Sequence, residues 1–230
     1  MWRKYYLHKN FYVMKRILLW LAMAGMMLTA CEKAPEGSSN ALPDGVQILD
    51  FSVDALRPVL QEFYDATGGP EWSEQPNWME EDDIQEWNYV TFYADDLELY
   101  FDAVYGGLKG TIPASFFDLP FTAIDLRHND LSGELPSNAG ANGLLLELDV
   151  RDNDLSGNLP ESLAKSCMDN LDVRENQFTG EIPEAIKGMV NFKNFGFDPQ
   201  QEGYGLTGFE SVKPLAEEVR VLMELFNRQS

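Results

Sequence analysis

The sequence predicts a right-handed α/β solenoid of about five turns, each 23–24 residues long, with a helical cap at either end. Two observations carry that prediction. Three segments superpose in register: IDLRHNDLSGELP from Ile124, LDVRDNDLSGNLP from Leu148 and LDVRENQFTGEIP from Leu171, their starts 24 and 23 residues apart. A fixed period of this length marks units that stack, because none could bury its apolar face alone. The apolar share of 44% is ample for one continuous core.

The chain opens on a leader rather than on the solenoid. Lys15 and Arg16 precede an apolar run from Ile17 to Leu28, the pattern of an export signal and short for a bilayer span. Residues 1–30 are therefore expected to be a signal peptide, with Met14 as an alternative start. The run ends Leu28-Thr29-Ala30-Cys31, which resembles the lipobox of bacterial lipoproteins. That resemblance implies cleavage before Cys31, acylation of its thiol and anchoring in a Gram-negative cell envelope, at the outer membrane. Residues 31–45, rich in Pro, Gly, Ser and Asn, read as a flexible tether.

Residues 46–96 are expected to cap the first turn. Ala55 to Ala66 reads as a helix with Leu56, Val59, Leu60 and Phe63 on one face, stopped by Gly68-Gly69-Pro70. Trp72, Trp78 and Trp87 are expected in the cap core, since large rings dominate the packing of small units.

Residues 97–209 hold the turns. In each, a short strand sends alternate residues inward, such as Leu148 and Val150, and leaves Asp149 and Arg151 facing out. Leu131, Leu155 and Phe178 close the layer. Asn129, Asn153 and Asn176 sit where the backbone leaves the sheet and an amide can bond both donors and acceptors. Gly133, Gly157 and Gly180 follow as flexible points. Leu135-Pro136, Leu159-Pro160 and Ile182-Pro183 start a return path, helical or 3₁₀, as the spacing of Ile182, Ile186, Met189 and Phe192 requires. Weaker copies run from Phe101 to Pro113 and through Phe195-Gly196-Phe197 to Leu206-Thr207-Gly208. Residues 210–230, with Val212, Leu215, Val219, Leu222, Met223 and Phe226 at helical spacing, are expected to form the closing helix.

The LSGxLP tails resemble the plant-type subclass of leucine-rich repeats, and the run from Phe63 to Trp72, FYDATGGPEW, resembles the N-terminal cap of bacterial members. The resemblance covers about residues 55–209. It implies a binding or scaffold module that uses its concave face, with a protein or glycan as ligand. Relatives of this type include hydrolase inhibitors and receptor ectodomains, so inhibition of a secreted hydrolase is the second reading.

The repeat register lines outward residues up in columns. One is Asp102, Asp125, Asp149, Asp172; beside it run Val104, Arg127, Arg151 and Arg174. A third holds Tyr105, His128, Asp152 and Glu175, and a fourth Tyr100, Ala123, Glu147 and Asn170. Rungs about 4.8 Å apart make a column of aspartates self-repelling, and the arginines beside it compensate. As a solvated ladder these pairs would each contribute about 0.2–1 kcal/mol. As a recognition surface, the face offers Arg forks, carboxylates and two tyrosines to a peptide, protein loop or glycan. The expected ligand-binding residues are Tyr100, Asp102, Tyr105, Asp125, Arg127, His128, Asp149, Arg151, Asp152, Asp172, Arg174 and Glu175.

Composition excludes several classes. A net charge of −21 repels phosphate backbones, so no nucleic acid is expected as partner. Two cysteines make no disulfide framework, Cys167 reads as a small buried residue, and two histidines hardly supply a zinc site. No cofactor or metal is expected. The run Glu80-Glu81-Asp82-Asp83 lacks the alternation and turn glycine of a calcium loop and reads as solvated. No motif sets a nucleophile beside His128, so no enzyme is expected; a hydrolase using concave-face carboxylates is the least favoured alternative. A monomer is expected.

Overall fold

The computed structural model describes residues 52–208, apart from 79, 94–97, 167 and 190–193. The expected signal peptide, Cys31, the tether, Cys167, Phe192 and the helix over 210–230 lie outside the described residues.

Helix α1 (Val53–Ala66) begins two residues before the expected start, because the Ser52 hydroxyl accepts a hydrogen bond from the Ala55 N–H. It buries Leu56, Leu60 and Phe63, the anticipated face. The Phe63 ring stacks on Phe116 at 4.2 Å and meets Phe101 and Trp72 edge-on at 5.3 and 5.8 Å. Trp72, Trp78 and Trp87 are buried, and two of the indoles donate to backbone, Trp72 to Thr67 and Trp87 to Glu81. The main chain itself joins α1 to the first turn: Lys109 donates to the Thr67 carbonyl and Thr111 to Ala66. Gly110 (φ 122°) is required there, since a Cβ would sit 2.3 Å from the Ala66 oxygen.

Strand β1 (Val90–Tyr93) pairs antiparallel with β2 (Glu98–Asp102). From β2 the sheet continues parallel through β4 (Ala123–Asp125), β6 (Glu147–Asp149), β8 (Asn170–Asp172) and β10 (Asn194–Gly196). The register places Phe101, Ile124, Leu148, Leu171 and Phe195 side by side, the first four buried. One step on, Leu126, Val150 and Val173 are completely buried, and their N–H groups donate to Asp149, Asp172 and Gly196 of the next turn. The shared apolar spine is therefore as the repeat predicts.

The segments after Asn129, Asn153 and Asn176, and their counterparts in the first and last turns, correct the sequence reading, which has them only closing the layer. They are strands: β3 (Lys109–Gly110), β5 (Asp130–Glu134), β7 (Asp154–Gly157), β9 (Gln177–Glu181) and β11 (Gly205–Thr207) form a second, five-stranded sheet. Runs this short carry little alternation of their own; the pairing comes from the neighbouring turn, about 23 residues away. Ser132, Ser156 and Thr207 hydroxyls add bonds to the Gly110, Gly133 and Gly180 carbonyls of the preceding strand. The return paths are 3₁₀ at Ala114–Asp118 and Glu161–Lys165 and a single helical turn, α2, at Glu184–Lys187.

Between the two sheets runs a ladder of amides. The Asn153 Oδ1 accepts from the Leu131 N–H at 3.0 Å, while its Nδ2 donates to the carbonyls of Leu126, Val150 and Arg151. Asn129 and Asn176 repeat the pattern one turn away on either side. In the last described turn the role passes to a residue the sequence does not flag. The Gln200 Nε2 donates to Val173 and Phe197, and its Oε1 accepts from the Phe178 N–H. Each bond spans the same sequence separation as its counterpart at Asn153.

Asn153→Ala strands one buried N–H and leaves three carbonyls short. The expected cost is roughly 3 kcal/mol, read as a lower thermal midpoint. Asn153→Gln, which carries the same amide on a longer arm, should lose less than Asn153→Ala, and equal losses would deny the amide its role.

Candidate functional site

The outer positions of the six-stranded face fall in the four columns the register predicts, and each has its own environment. Every aspartate of the first column turns its carboxylate back on the chain. The Oδ1 atoms of Asp102, Asp125, Asp149 and Asp172 each accept from the N–H two residues on, at 3.2–3.3 Å. These bonds close the end of each strand.

The charges are not the solvated ladder that alternation suggests. Asp149 and Asp172 are 4% and 6% exposed, beneath the arginines. Arg127 reaches Asp125 at 3.3 Å and Asp149 at 3.8 Å, and Arg151 reaches Asp149 at 3.7 Å and Asp172 at 3.3 Å. Arg174 clasps Asp172 through Nε and Nη2, the latter at 2.5 Å. Carboxylate and guanidinium thus alternate across three rungs in one zigzag. Burial pushes the Asp125 carboxyl up to about 6 and raises Asp149 as well. At Asp172 burial pushes the same way, but the hydrogen bonds and charge of Arg174 outweigh it and hold the carboxyl below its usual value. The same pairing raises Arg174.

The third column is unlike its neighbours. Tyr105, His128, Asp152 and Glu175 all lie in the left-handed region, at φ 54°, 59°, 56° and 56°. Their N–H groups donate to Arg127, Arg151, Arg174 and Pro199 across the rungs, which fixes the conformation. The chain needs this turn to swing out of the strand, into an asparagine after His128, Asp152 and Glu175 and into Gly106 after Tyr105. Nothing in the alternation of apolar residues signals it; a repeat-by-repeat reading of turn chemistry could have. The side chains stand outward: Tyr105, Asp152 and Glu175 are exposed, and Tyr105 is 68% accessible. The Tyr105 ring lies flat on His128, centroids 4.3 Å apart and planes 4° from parallel, and the His128 Nδ1 is 2.6 Å from the Asp152 carboxylate.

In the fourth column Tyr100 donates its hydroxyl to Glu98 and packs edge-on against Tyr93, while Asn170 donates to Glu147. Burial, followed by the Glu98 carboxylate, pushes the Tyr100 phenol up to about 12. The acidic loop lies apart from these columns. Glu80, Glu81, Asp82 and Asp83 are exposed, and Arg57 binds the Asp82 carboxylate and the Glu81 carbonyl. Among the described residues no group of three His, Cys, Asp or Glu side chains could hold a metal ion.

A leucine-rich repeat family model matches residues 144–166 and 168–189, the two most regular turns. No curated protein matches the chain in sequence. In structure it is similar to the BIR3–SERK2 complex of Arabidopsis thaliana, at 23% identity over 70% of this chain and 86% of that one, TM-score 0.53. It is also similar to the Arabidopsis HAESA receptor kinase ectodomain bound to an N-terminally extended IDA peptide hormone. There the identity is 19% over 65% of this chain and 25% of that one, TM-score 0.55. The chain thus spans about a quarter of the HAESA length. The PEPR1–AtPEP1 structure gives 18% identity over 64% and 25%, TM-score 0.51. These likenesses establish the fold, a leucine-rich repeat solenoid.

A carboxyl raised in the folded state stabilises the protein fully below its unfolded value, and that contribution is lost as pH rises through the folded one. Asp125→Asn keeps the acceptor for Arg127 and removes the ionisation. It should therefore raise stability near pH 7.5 by on the order of 1 kcal/mol and have little effect near pH 4. Thermal unfolding at both pH values checks this, and an equal gain at both would exclude burial as the cause. Arg151→Glu, by contrast, uncovers two buried carboxylates and should cost roughly 3 kcal/mol.

Proposed function

We propose that this leucine-rich repeat solenoid is a protein-binding module, held at a Gram-negative cell envelope by an acylated Cys31 and working as a monomer through its six-stranded face. One observation carries the choice of face: the third column. Its neighbours bury their carboxylates, bind backbone or pair within the sheet, whereas Tyr105, Asp152 and Glu175 project into solvent from three of four consecutive rungs. A non-glycine residue in the left-handed region costs of order 1 kcal/mol, and a surface that holds several in line keeps side chains where glycine would serve the turn better. The similar structures support the mode of use: one is of an ectodomain with a peptide hormone, another is of a complex of two named proteins.

A non-catalytic role belongs to this reading. Among the described residues His128 pairs with Asp152 and rests on Tyr105, and no serine hydroxyl bonds its ring. The acids of the first column are tied to backbone and arginine on an open face, not set in a cleft of their own. A glycan is the second reading, favoured by the accessible Tyr105 ring.

Two measurements test the proposal. A photo-crosslinking amino acid in place of Tyr105 should capture a protein from envelope extracts, and the same group in place of Thr179 on the other sheet should not; capture from Thr179 alone would move the contact surface. Metabolic labelling with a palmitate analogue should mark the wild type and spare Cys31→Ala, and label on both would remove the anchor.

A further inference from the structure

Resting on the binding role just proposed, we infer that the segment received by the third column is cationic: an extended stretch of a partner protein that carries lysine or arginine. The argument starts from what the arginines are already doing. Arg127 and Arg151 each approach two aspartates and Arg174 holds Asp172 by three contacts, so the positive charge of this face is already paired with carboxylates of the fold. A carboxylate-bearing ligand would compete with Asp149 and Asp172 for those arginines and add a further negative charge beside them. The outermost groups are of the other sign. Asp102, Asp152 and Glu175 are exposed, and the four columns contain no lysine. The chain as a whole carries −21, a field that draws basic partners in and repels acidic ones.

Carboxylates alone would mark only a solvated rim. What points this ridge at a ligand is Tyr105, the most accessible of the large apolar side chains among the described residues. His128 covers one face of its ring and is itself held by Asp152, so the phenol is braced upright with its remaining surface in water. An exposed, braced aromatic ring in line with carboxylates offers what an ammonium or guanidinium seeks: a π face on one side and a negative charge within one or two rungs. Four rungs at about 4.8 Å span about 14 Å, the length of roughly four extended residues, whose alternate side chains would meet the ridge.

The test titrates fluorescently labelled hexalysine and hexaglutamate peptides into the full-length chain, followed by anisotropy. Hexalysine should bind and hexaglutamate should not. Asp152→Asn with Glu175→Gln should weaken hexalysine about tenfold, and Tyr105→Ala about fivefold. Glu134→Gln with Glu161→Gln removes the same charge from exposed positions outside the four columns and should change affinity less than about twofold. Unchanged thermal midpoints show that the variants are folded. Equal losses from both pairs would mean attraction by net charge alone and overturn the assignment, as would a preference for hexaglutamate or a neutral oligosaccharide. Absence of hexalysine binding while the Tyr105 crosslinker still captures a protein overturns the cationic assignment and spares the binding role. Hexalysine read at the ridge with no captured protein does the reverse.

Discussion

The amide ladder is the constraint from which the rest of the described fold follows. At every turn the chain leaves one sheet and enters another, and in between its N–H and C=O groups face an apolar interior. In three successive turns a side chain carrying both a donor and an acceptor stands there, within reach of its own turn and the previous one: Asn129, Asn153 and Asn176 do so with near-identical bonds. Before Asn129, Asn153 and Asn176 the chain passes through the left-handed region, which throws the side chains of His128, Asp152 and Glu175 outward, and Tyr105 does the same ahead of Gly106. The geometry of the third column is thus fixed by the backbone bonds between rungs before any ligand is considered.

A similar economy governs the charges. Each aspartate of the first column ends its strand by accepting the N–H two residues on, and in doing so sinks beneath the arginine that follows. The acids are placed by backbone needs and the arginines by the acids. Their net contribution to stability is small, because desolvation offsets most of the attraction, but removing one partner leaves the other exposed to that penalty in full. The opposite directions of the Asp125 and Asp172 carboxyls express the same balance. Asp125 lies at 3.3 Å from one guanidinium nitrogen, while Asp172 is clasped by Arg174 and approached by Arg151.

Legibility in the sequence followed the range of the interaction responsible. Leu126, Val150 and Val173 were readable because their burial repeats at one period, and α1 because Leu56, Leu60 and Phe63 share a helical face. The role of Asn153 followed from its position in the motif. The second sheet was not readable: β5 and β7 are strands only because each meets the next turn. The burial of Asp149 escaped because alternation tells in from out but not how far a short carboxylate folds back. Gln200 escaped because the last turn departs from the motif, and only the coordinates show its longer arm restoring the missing amide.

The repeats also serve as their own comparison. Where the fold needs a side chain, successive turns hold it: Asp at 125, 149 and 172, Arg at 127, 151 and 174, Asn at 129, 153 and 176. Between those arginines and asparagines stands one position that reads His, Asp and Glu from one turn to the next, with Tyr105 in the same place of the turn before, all in the left-handed region. Backbone geometry there is constant and side-chain chemistry is not. A purely structural role would level that column as it levels the others, toward the glycine or asparagine the dihedral favours. Its variety, along with the stacking of Tyr105 on His128 and the pairing of His128 with Asp152, is what sets this column apart from the three beside it and is the ground on which the contact surface is proposed.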